Sequence, residues 1–385
     1  MSNTQKKNVP ELRFPGFEGE WEEKKLGDLI KVNSGKDYKH LDKGDIPVYG
    51  TGGYMTSVSE PLSEIDAVGI GRKGTINKPY LLEAPFWTVD TLFYCTPKKE
   101  ADILFILSLF RKINWKLYDE STGVPSLSKQ TINKINRLVP TNKEQQKIGE
   151  FFSKLDRQIE LEEQKLELLQ QQKKGYMQKI FSQELRFKDE NGNDYPNWRT
   201  IELKNILENI VDNRGKTPDN APSEKYPLLE VNALGYYRPA YIKVSKFVSE
   251  NTYNNWFREH LKENDILFST VGNTGIVSLM DNYKAVIAQN IVGLRVNNNN
   301  LPSFIYYMLS YKGNQKKIKR IQMGAVQPSV KVSQFKFIKY LVPIKDEQEK
   351  VAKLLIEIDK LVNKQLIKIE LLQQRKKALL KSMFI

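Results

Sequence analysis

Residues 139–181 read VPTNKEQQKIGEFFSKLDRQIELEEQKLELLQQQKKGYMQKIF, and residues 342–384 read VPIKDEQEKVAKLLIEIDKLVNKQLIKIELLQQRKKALLKSMF. The two stretches align without a gap, with about a third of the positions identical and most others exchanging like for like. Each follows a non-repeated segment of about 140–155 residues. The repeat therefore predicts two similar scaffolds that carry two different recognition surfaces.

The repeat extends beyond these stretches. ELRF occurs at 11–14 and again at 184–187, each time followed by a tryptophan, Trp21 or Trp198. The approach to each long stretch also recurs, as PSLSKQTINKINRLVP (125–140) and PSVKVSQFKFIKYLVP (328–343). Because the first ELRF opens the chain while the second follows the first long stretch, the order is circular. We expect the N-terminal arm and the C-terminus to meet in space.

Apolar residues in both stretches recur at alternating steps of three and four, the spacing of a coiled-coil seam. The seam residues are Ile148, Phe152, Leu155, Ile159, Leu166 and Leu169 in the first helix, and Val351, Leu355, Ile358, Val362, Ile369 and Leu372 in the second. Polar residues interrupt both seams at matching places, first at Glu162 and Gln365, then at Lys173 and Lys376. Connectivity requires the helices to run antiparallel with one domain at each end, and about 40 helical residues span roughly 60 Å.

The fold class that follows is mixed α/β (α+β). Two β-rich domains are separated by a pair of long antiparallel coiled-coil helices in a pseudo-twofold circular repeat. Both domains show strand-like runs and then a helical stretch, 101–118 in the first and 302–320 in the second. The predicted boundaries are 1–140 for domain one with an arm at 1–20, 141–183 for helix one, 184–343 for domain two and 344–385 for helix two.

Composition narrows the class of protein. The 385 residues carry a formal charge of +14, which favours a polyanionic partner, although a merely lysine-rich surface is the alternative. The single cysteine, Cys95, lies in an apolar run and reads as a core residue, which fits a reducing, cytoplasmic setting. No apolar run is long enough for a membrane span, and His40 and His260 lack neighbours at metal-ligand spacing.

The domain loops carry residue types that read DNA. Arginine and lysine can bind guanine edges, asparagine and glutamine can bind adenine edges, and lysine and loop amides can hold phosphates. The glycine pairs Gly71/Gly74 and Gly272/Gly275 predict tight turns in these loops. The predicted DNA-binding residues are Lys36, Tyr38, Lys39, Tyr54, Arg72, Lys73, Asn77 and Lys78 in domain one, and Arg214, Lys216, Thr217, Asn232, Tyr236, Arg238, Asn273, Thr274, Gln289, Asn290, Lys316, Lys317 and Lys319 in domain two.

Catalytic motifs are not found in the sequence. RGKT (214–217) lacks the first glycine of a phosphate-binding loop, because position 210 is isoleucine. No glycine-rich cofactor loop, no NPP-type amino-methylation motif and no credible Ser/His/Asp set occurs. The expectation is a reader with no catalytic or metal-binding residues of its own.

Together the duplicated helices, the paired ELRF arms and the GVPSLS and AVQPSV approaches resemble the specificity subunits of Type I restriction-modification enzymes, over essentially the whole chain. The resemblance implies that each domain binds one half of a bipartite, asymmetric double-stranded DNA target. It also implies two modification (methyltransferase) subunits and restriction subunits as partners, which methylate adenine or cleave DNA and which hold the S-adenosylmethionine, ATP and Mg sites. A free-standing nucleic-acid-binding scaffold, or an enzyme with an unrecognised active site, remains open at this point.

Overall fold

The computed structural model describes residues 8–213, 215, 218–221 and 224–385. They divide into two compact units. Unit 1 contains the described residues up to Gln164 together with Leu366–Ile385, and unit 2 contains Lys165–Gln365. Each repeated long stretch is therefore shared, with one half in each unit.

The first half of the chain contributes nine strands and four helices in its described residues. The strands are β1 (Glu22–Lys25), β2 (Ile30–Ser34), β3 (Ile46–Gly50), β4 (Gly53–Val58), β5 (Ala67–Gly71), β6 (Tyr80–Leu82), β7 (Trp87–Thr88), β8 (Leu92–Pro97) and β9 (Asn136–Val139). The helices are α1 (Leu26–Leu29), α2 (Ile103–Lys112), α3 (Lys129–Lys134) and the long α4 (Asn142–Phe181).

The described residues of the second half again contain nine strands, with five helices. The strands are β10 (Arg199–Glu202), β11 (Leu207–Val211), β12 (Tyr226–Leu229), β13 (Phe247–Val248), β14 (Ile266–Ser269), β15 (Val277–Leu279), β16 (Val286–Ile287), β17 (Ile291–Val296) and β18 (Lys339–Val342). The helices are α5 (Glu250–Trp256), α6 (Pro302–Ser310), α7 (Lys312–Arg320), α8 (Val332–Phe335) and the long α9 (Lys345–Ser382).

The sheets of the two units follow one plan. Unit 1 has a four-stranded antiparallel sheet in the order β2-β8-β5-β6, and unit 2 has β11-β17-β14-β15 in the same relation. A three-stranded sheet, β4-β3-β7 or β13-β12-β16, contains one antiparallel and one parallel pairing in each unit. A two-stranded ribbon, β1-β9 or β10-β18, precedes each long helix. The mixed α/β class and the duplication are confirmed.

The chain ends meet within unit 1, as the circular repeat predicts. The Leu12 amide donates to the Ser382 carbonyl at 2.9 Å. Phe384 packs against Trp21, Phe105 and Phe152, with ring centroids 5.5–6.2 Å apart. In unit 2 the matching residue, Phe181, packs against Trp198 and Phe304. Each core thus closes on the end of a long helix.

The long helices pair antiparallel inside each unit. In unit 1, Lys376 of α9 forms an ion pair with Asp156 of α4. In unit 2, the equivalent Lys173 of α4 lies 2.5 Å from Asp359 of α9. The lysines that interrupt the predicted seam are therefore neutralised by carboxylates on the facing helix. The predicted seam residues are all buried or half-buried.

Each ELRF arm is held by a buried glutamate at the start of a long helix. Arg13 donates from Nε and Nη2 to Glu144, at 2.8 and 2.7 Å, and Arg186 makes the same two-point contact with Glu347 at 3.1 and 2.8 Å. Glu347 additionally accepts a hydrogen bond from Trp198 Nε1 at 3.1 Å. The carboxylate raises the pKa of Arg186 through these hydrogen bonds. The sequence did not predict these contacts between the arms and the helix starts.

Three local expectations need adjustment. The stretch 101–118 is not one helix, because α2 ends at Lys112 and a short 3-10 turn, Trp115–Tyr118, follows. The stretch 302–320 likewise breaks at Tyr311, whose extended backbone (ψ 128°) separates α6 from α7. Gly71 ends strand β5 with no left-handed backbone, whereas Gly74, Gly272 and Gly275 have the positive φ that a tight turn requires.

One expectation about an individual residue is confirmed. Cys95 is fully buried in β8, and burial raises the pKa of its thiol, so it is a core residue. None of the helices in the described residues combines the length and apolar content that crossing a membrane requires.

Candidate DNA-recognition surface

A cluster of backbone hydrogen bonds joins three loops at one edge of the large sheet of unit 1. Where β5 ends, the amide of Arg72 donates to the carbonyl of Thr91 at 2.8 Å. The amide of Gly74 donates to the carbonyl of Pro125 at 2.8 Å, and the amide of Leu127 donates to the carbonyl of Arg72 at 2.9 Å. We call these joined loops, residues 71–74, 89–92 and 125–127, the loop junction of unit 1.

Unit 2 contains the same junction, built from residues 269–272, 288–291 and 328–330. Three backbone amides donate to backbone carbonyls at 2.8 Å each: Thr270 to Asn290, Gly272 to Pro328, and Val330 to Thr270. Gly74 and Gly272 occupy one equivalent place, with φ of 87° and 75°. Only glycine adopts this conformation readily, which explains a glycine there in both units.

The backbone of the two junctions is shared, but the side chains are not. Unit 1 presents exposed Arg72 and Lys73, where unit 2 has Thr270 and Val271. Arg72 reaches the carbonyl of Asp90 through Nη1 at 3.4 Å and lies over the Phe93 ring. The two units thus offer chemically different groups on one backbone frame.

Two further segments pack against the junction turn of unit 1. Gly35 passes so close that a Cβ there would stand 2.0 Å from the Val89 carbonyl oxygen, so only glycine fits. The next residue, Lys36, donates its amide to Thr88 at 2.8 Å and exposes its side chain. The β3–β4 hairpin also lies beside the turn, because Val89 donates to Tyr49 at 3.0 Å. Lys36, Arg72 and Lys73 are therefore brought together.

The other predicted residues of unit 1 surround this group. Tyr38 is half-buried and packs, like the turn residue Val89, against the cluster of Val48, Val58 and Trp87, and Lys39 follows it exposed. Tyr54 is 64% exposed at the hairpin end. Asn77 and Lys78 are exposed on the β5–β6 loop, which the Tyr80 hydroxyl ties to the Gly50 carbonyl at 2.6 Å.

In unit 2 the predicted residues fall into two groups. Gln289 and Asn290 lie in the junction, and Asn273 and Thr274 follow Gly272 on the adjoining loop. Gln322, two residues beyond α7, donates to the Thr274 hydroxyl, and Gln315 of α7 donates to the Gly275 carbonyl at 2.7 Å, so α7 with Lys316 and Lys319 lies beside this loop.

Asn232 and Tyr236 form the second group of unit 2, around Lys243. The Lys243 ammonium donates to the Tyr236 hydroxyl at 2.5 Å, and its carbonyl accepts from Asn232 at 3.2 Å. Among the described residues, no hydrogen bond joins Asn232, Tyr236 or Lys243 to the junction. Arg214, Lys216 and Thr217 lie outside the described residues.

Two predicted cations are engaged in holding the fold. Lys317 is half-buried, donates to the Lys339 carbonyl at 2.9 Å and lies over the Tyr340 ring; burial lowers the pKa of its ammonium. Arg238 donates to the carbonyls of Met280 and Leu279, at 3.3 Å for the latter, and lies over Tyr237. Among the predicted cations of the described residues, Lys36, Arg72, Lys73, Lys316 and Lys319 are better placed for an external anion.

Sequence reasoning missed four junction residues, Asp90, Thr91, Thr270 and Val271. Their position depends on hydrogen bonds between segments far apart in the chain. The recurring proline-serine approach to each long helix, at Pro125 and Pro328, was the available signal, because these prolines accept the junction hydrogen bonds. Among the described residues, no group of three or more His, Cys, Asp and Glu side chains is arranged to hold a metal ion.

Both repeated halves of the chain are similar to known proteins. Residues 18–171 and 195–371 both match the family described as Type I restriction modification DNA specificity domain. The chain belongs to this family. Each match contains one domain with its junction and most of the long helix that follows.

Individual relatives agree with this assignment. The chain is 23% identical over 316 residues to the Type I restriction enzyme MjaVIII specificity subunit of Methanocaldococcus jannaschii, covering 78% of this chain and 71% of the relative. The fold resembles the crystal structure of a Type I restriction-modification S subunit from M. genitalium, with a TM-score of 0.68, 17% identity, and 98% and 99% of the two chains covered. It also resembles a chain from a study of complex assembly and conformational transition of the type I R-M system, with a TM-score of 0.52, 14% identity, and 94% and 97% covered.

Membership of the specificity family establishes the role of the chain in DNA sequence recognition within a restriction system. The free-standing scaffold considered from the sequence finds no support in these comparisons. The residues predicted to contact DNA stay predictions. The structure distinguishes those whose side chains are exposed, and so available to DNA, from those whose side chains bind groups within the fold.

Proposed function

We propose that each unit reads one half of a bipartite, asymmetric DNA target through its loop junction. The observation that carries this proposal is the shared backbone with exchanged side chains. Recognition of two different base sequences requires different exposed side chains. The two units place different side chains on the same backbone arrangement. Unit 1 would use Arg72 and Lys73 with Lys36, and unit 2 would use Gln289 and Asn273, which can bond to adenine edges. The Oδ1 atom of Asn290 is buried, so this residue does not present its whole amide to a base.

The charges of the two units support a division between base and phosphate contacts. In unit 2 the cations Lys316 and Lys319 lie on α7, beside the polar junction loop and not within it. Lysines at such a place suit phosphate oxygens, which fix the register of a protein on the duplex. The overall charge of +14 favours the same polyanion.

The chain would act within an assembly. Two modification subunits and the restriction subunits would supply the S-adenosylmethionine, ATP and Mg chemistry and would methylate adenine or cleave DNA. Exposed leucines on the long helices support docking there. Leu161, Leu366 and Leu371 of unit 1 are 44–59% exposed, and Leu168 of unit 2 is 64% exposed. These exposed apolar side chains are available to a partner subunit.

We predict that the purified chain alone does not transfer methyl groups to DNA. The reason is that the proposed methyltransferase site belongs to a partner subunit. The measurement is incorporation of label from S-adenosylmethionine into duplex DNA, with and without added modification subunit. The mixture should show activity. Activity of the chain alone that persists through further purification, in proportion to its amount, would refute the division of labour.

A second prediction separates base contacts from phosphate contacts. Arg72→Ala should weaken cognate binding by about 1–3 kcal/mol and relax one position of the first half-site. Lys319→Ala should weaken binding to all sequences alike and reduce the slope of log K against log salt by about one unit. Affinity of the assembled complex is measured against salt, on cognate and single-mismatch duplexes.

Lys317→Met is the matched control, since the Lys317 ammonium already donates a hydrogen bond to the backbone carbonyl of Lys339. This variant should leave the salt slope nearly unchanged. An equal loss on every duplex for Arg72→Ala would reassign Arg72 to phosphate or to a partner subunit.

A further inference from the structure

The turn between β7 and β8 in unit 1 is the structural counterpart of the turn between β16 and β17 in unit 2. The Val89 amide donates to the carbonyl of Tyr49 in strand β3 at 3.0 Å, and the Ala288 amide donates to the carbonyl of Leu229 in strand β12 at 3.0 Å. Each turn then closes on itself, from Leu92 to Val89 at 3.0 Å and from Ile291 to Ala288 at 3.1 Å. These bonds, with those of the loop junction, place Asp90 of unit 1 at the position of Gln289 in unit 2.

Asp90 and Gln289 are both exposed, so each unit has an exposed polar side chain at this position of the turn. Within the described residues, no hydrogen bond or ion pair of the fold uses the Asp90 carboxylate, while its backbone carbonyl receives Arg72 Nη1 at 3.4 Å. The side chain is therefore not needed to form the turn.

An unpaired carboxylate is unexpected at this place. The segments on either side of the turn carry Lys36 and the Arg72–Lys73 pair, so the surroundings attract phosphate. A carboxylate that approaches DNA is repelled by phosphates unless it meets a hydrogen-bond donor. In the major groove the donors are the exocyclic amines, cytosine N4 and adenine N6.

We propose that Asp90 is a specificity-determining residue, which accepts a hydrogen bond from an exocyclic base amine in the first half-site, and that Gln289 is its counterpart for the second. The inference rests on the proposed function of the two units. It goes further by assigning a base chemistry to one residue. A carboxylate only accepts, so this position rejects guanine and thymine, which present acceptors there.

The test is selection from a fully randomised duplex pool by the chain assembled with its modification subunits. The wild-type complex should enrich cytosine or adenine at one position of the first half-site, and the enriched base identifies the donor. Asp90→Ala removes the acceptor, so it should reduce that preference about tenfold and leave the other positions unchanged. Gln289→Glu replaces an amide that can bind adenine N6 and N7 by a group that only accepts, so it should shift the preference from adenine towards cytosine at one position of the second half-site only.

Base analogues link the effect to the amine itself. Replacing the enriched base by 2-pyrimidinone for cytosine, or by purine for adenine, removes only the amine. The analogue should weaken wild-type binding about tenfold, and it should weaken Asp90→Ala binding much less, since both changes remove the same interaction. Glu83→Ala, which removes another exposed acid of unit 1, is the control and should show the full analogue effect.

The outcomes separate this inference from the proposed function. If Asp90→Ala strengthens binding to every duplex equally, as loss of a repulsive charge would, the inference is wrong. If wild type is selective but its base preferences are unaltered by Asp90→Ala, only the inference fails. If the wild-type complex selects no sequence at all, the proposed function of the units fails as well.

Discussion

Replacing residues 20–140 with the matching domain of another specificity-family chain is expected to change the bases recognised in one half of the DNA target and to leave the other half unchanged. The loop junctions are complete within each unit, and among the residues that the structure describes no backbone hydrogen bond of the unit 1 junction involves unit 2. Mismatched base pairs cost about 1–3 kcal/mol each, so loss of several contacts should reduce use of the original half-site by more than a thousandfold. Mapping of methylated adenines in cells that express the chimera with its partner subunits gives both half-sites.

The donor domain must preserve the aromatic contacts that seat the domain on the helices. Trp21 and Phe105 pack against Phe384, which also packs against Phe152, and a donor without large apolar groups at 21 and 105 should fail to fold. The reciprocal chimera, with residues 184–343 replaced, should change only the second half-site. A single replacement that alters both half-sites would contradict independent reading.

Glu347→Ala is expected to release the second ELRF arm. The carboxylate is completely buried and pairs with Arg186 and Trp198. Removing one partner of a buried ion pair typically costs about 3–5 kcal/mol, because a charge is left without compensation. Hydrogen exchange measured by mass spectrometry should show protection of residues 184–202 falling by at least a hundredfold.

The repeat supplies a crossed control for this experiment. Glu144→Ala removes the equivalent clamp on Arg13, and it should release residues 11–25 while residues 184–202 stay protected. Trp21 Nε1 is buried without a hydrogen-bond partner in the described structure, so Glu144 lacks the tryptophan contact of Glu347 and its loss should cost less. The exposed pair Glu357–Lys360 provides a negative control. Unchanged protection of residues 184–202 in Glu347→Ala would show that the clamp does not hold the arm.

The sequence predicts most reliably what repeats over long distances. The long helices were recognisable because their apolar period persists for about forty residues, far beyond chance. They begin at Asn142 and Lys345 and end at Phe181 and Ser382, close to the expected bounds. The closure of the chain ends followed from the circular order of the ELRF arms.

Local breaks and surface roles were less predictable, for physical reasons. Continuous apolar stretches do not reveal where a helix stops, so the extended backbone at Tyr311 was missed. Loop chemistry cannot distinguish Arg238, which binds carbonyl groups of its own unit, from Arg72, which stays exposed. Asp90 gained significance only when hydrogen bonds between distant segments of unit 1 showed that it is the counterpart of Gln289 in unit 2.

The contact between Phe384 and Trp21 has a consequence for synthesis of the protein. Unit 2 is continuous from Lys165 to Gln365 and can fold once that stretch has left the ribosome, whereas unit 1 includes Leu366–Ile385. At about 5–20 residues per second, the domain made first waits about 10–40 s for the last helical turns that complete its core. During this interval Trp21, Phe105 and Phe152 lack their final neighbour, so the nascent chain exposes an aromatic surface. Its folding order is therefore reversed, with the half that is made later completed first.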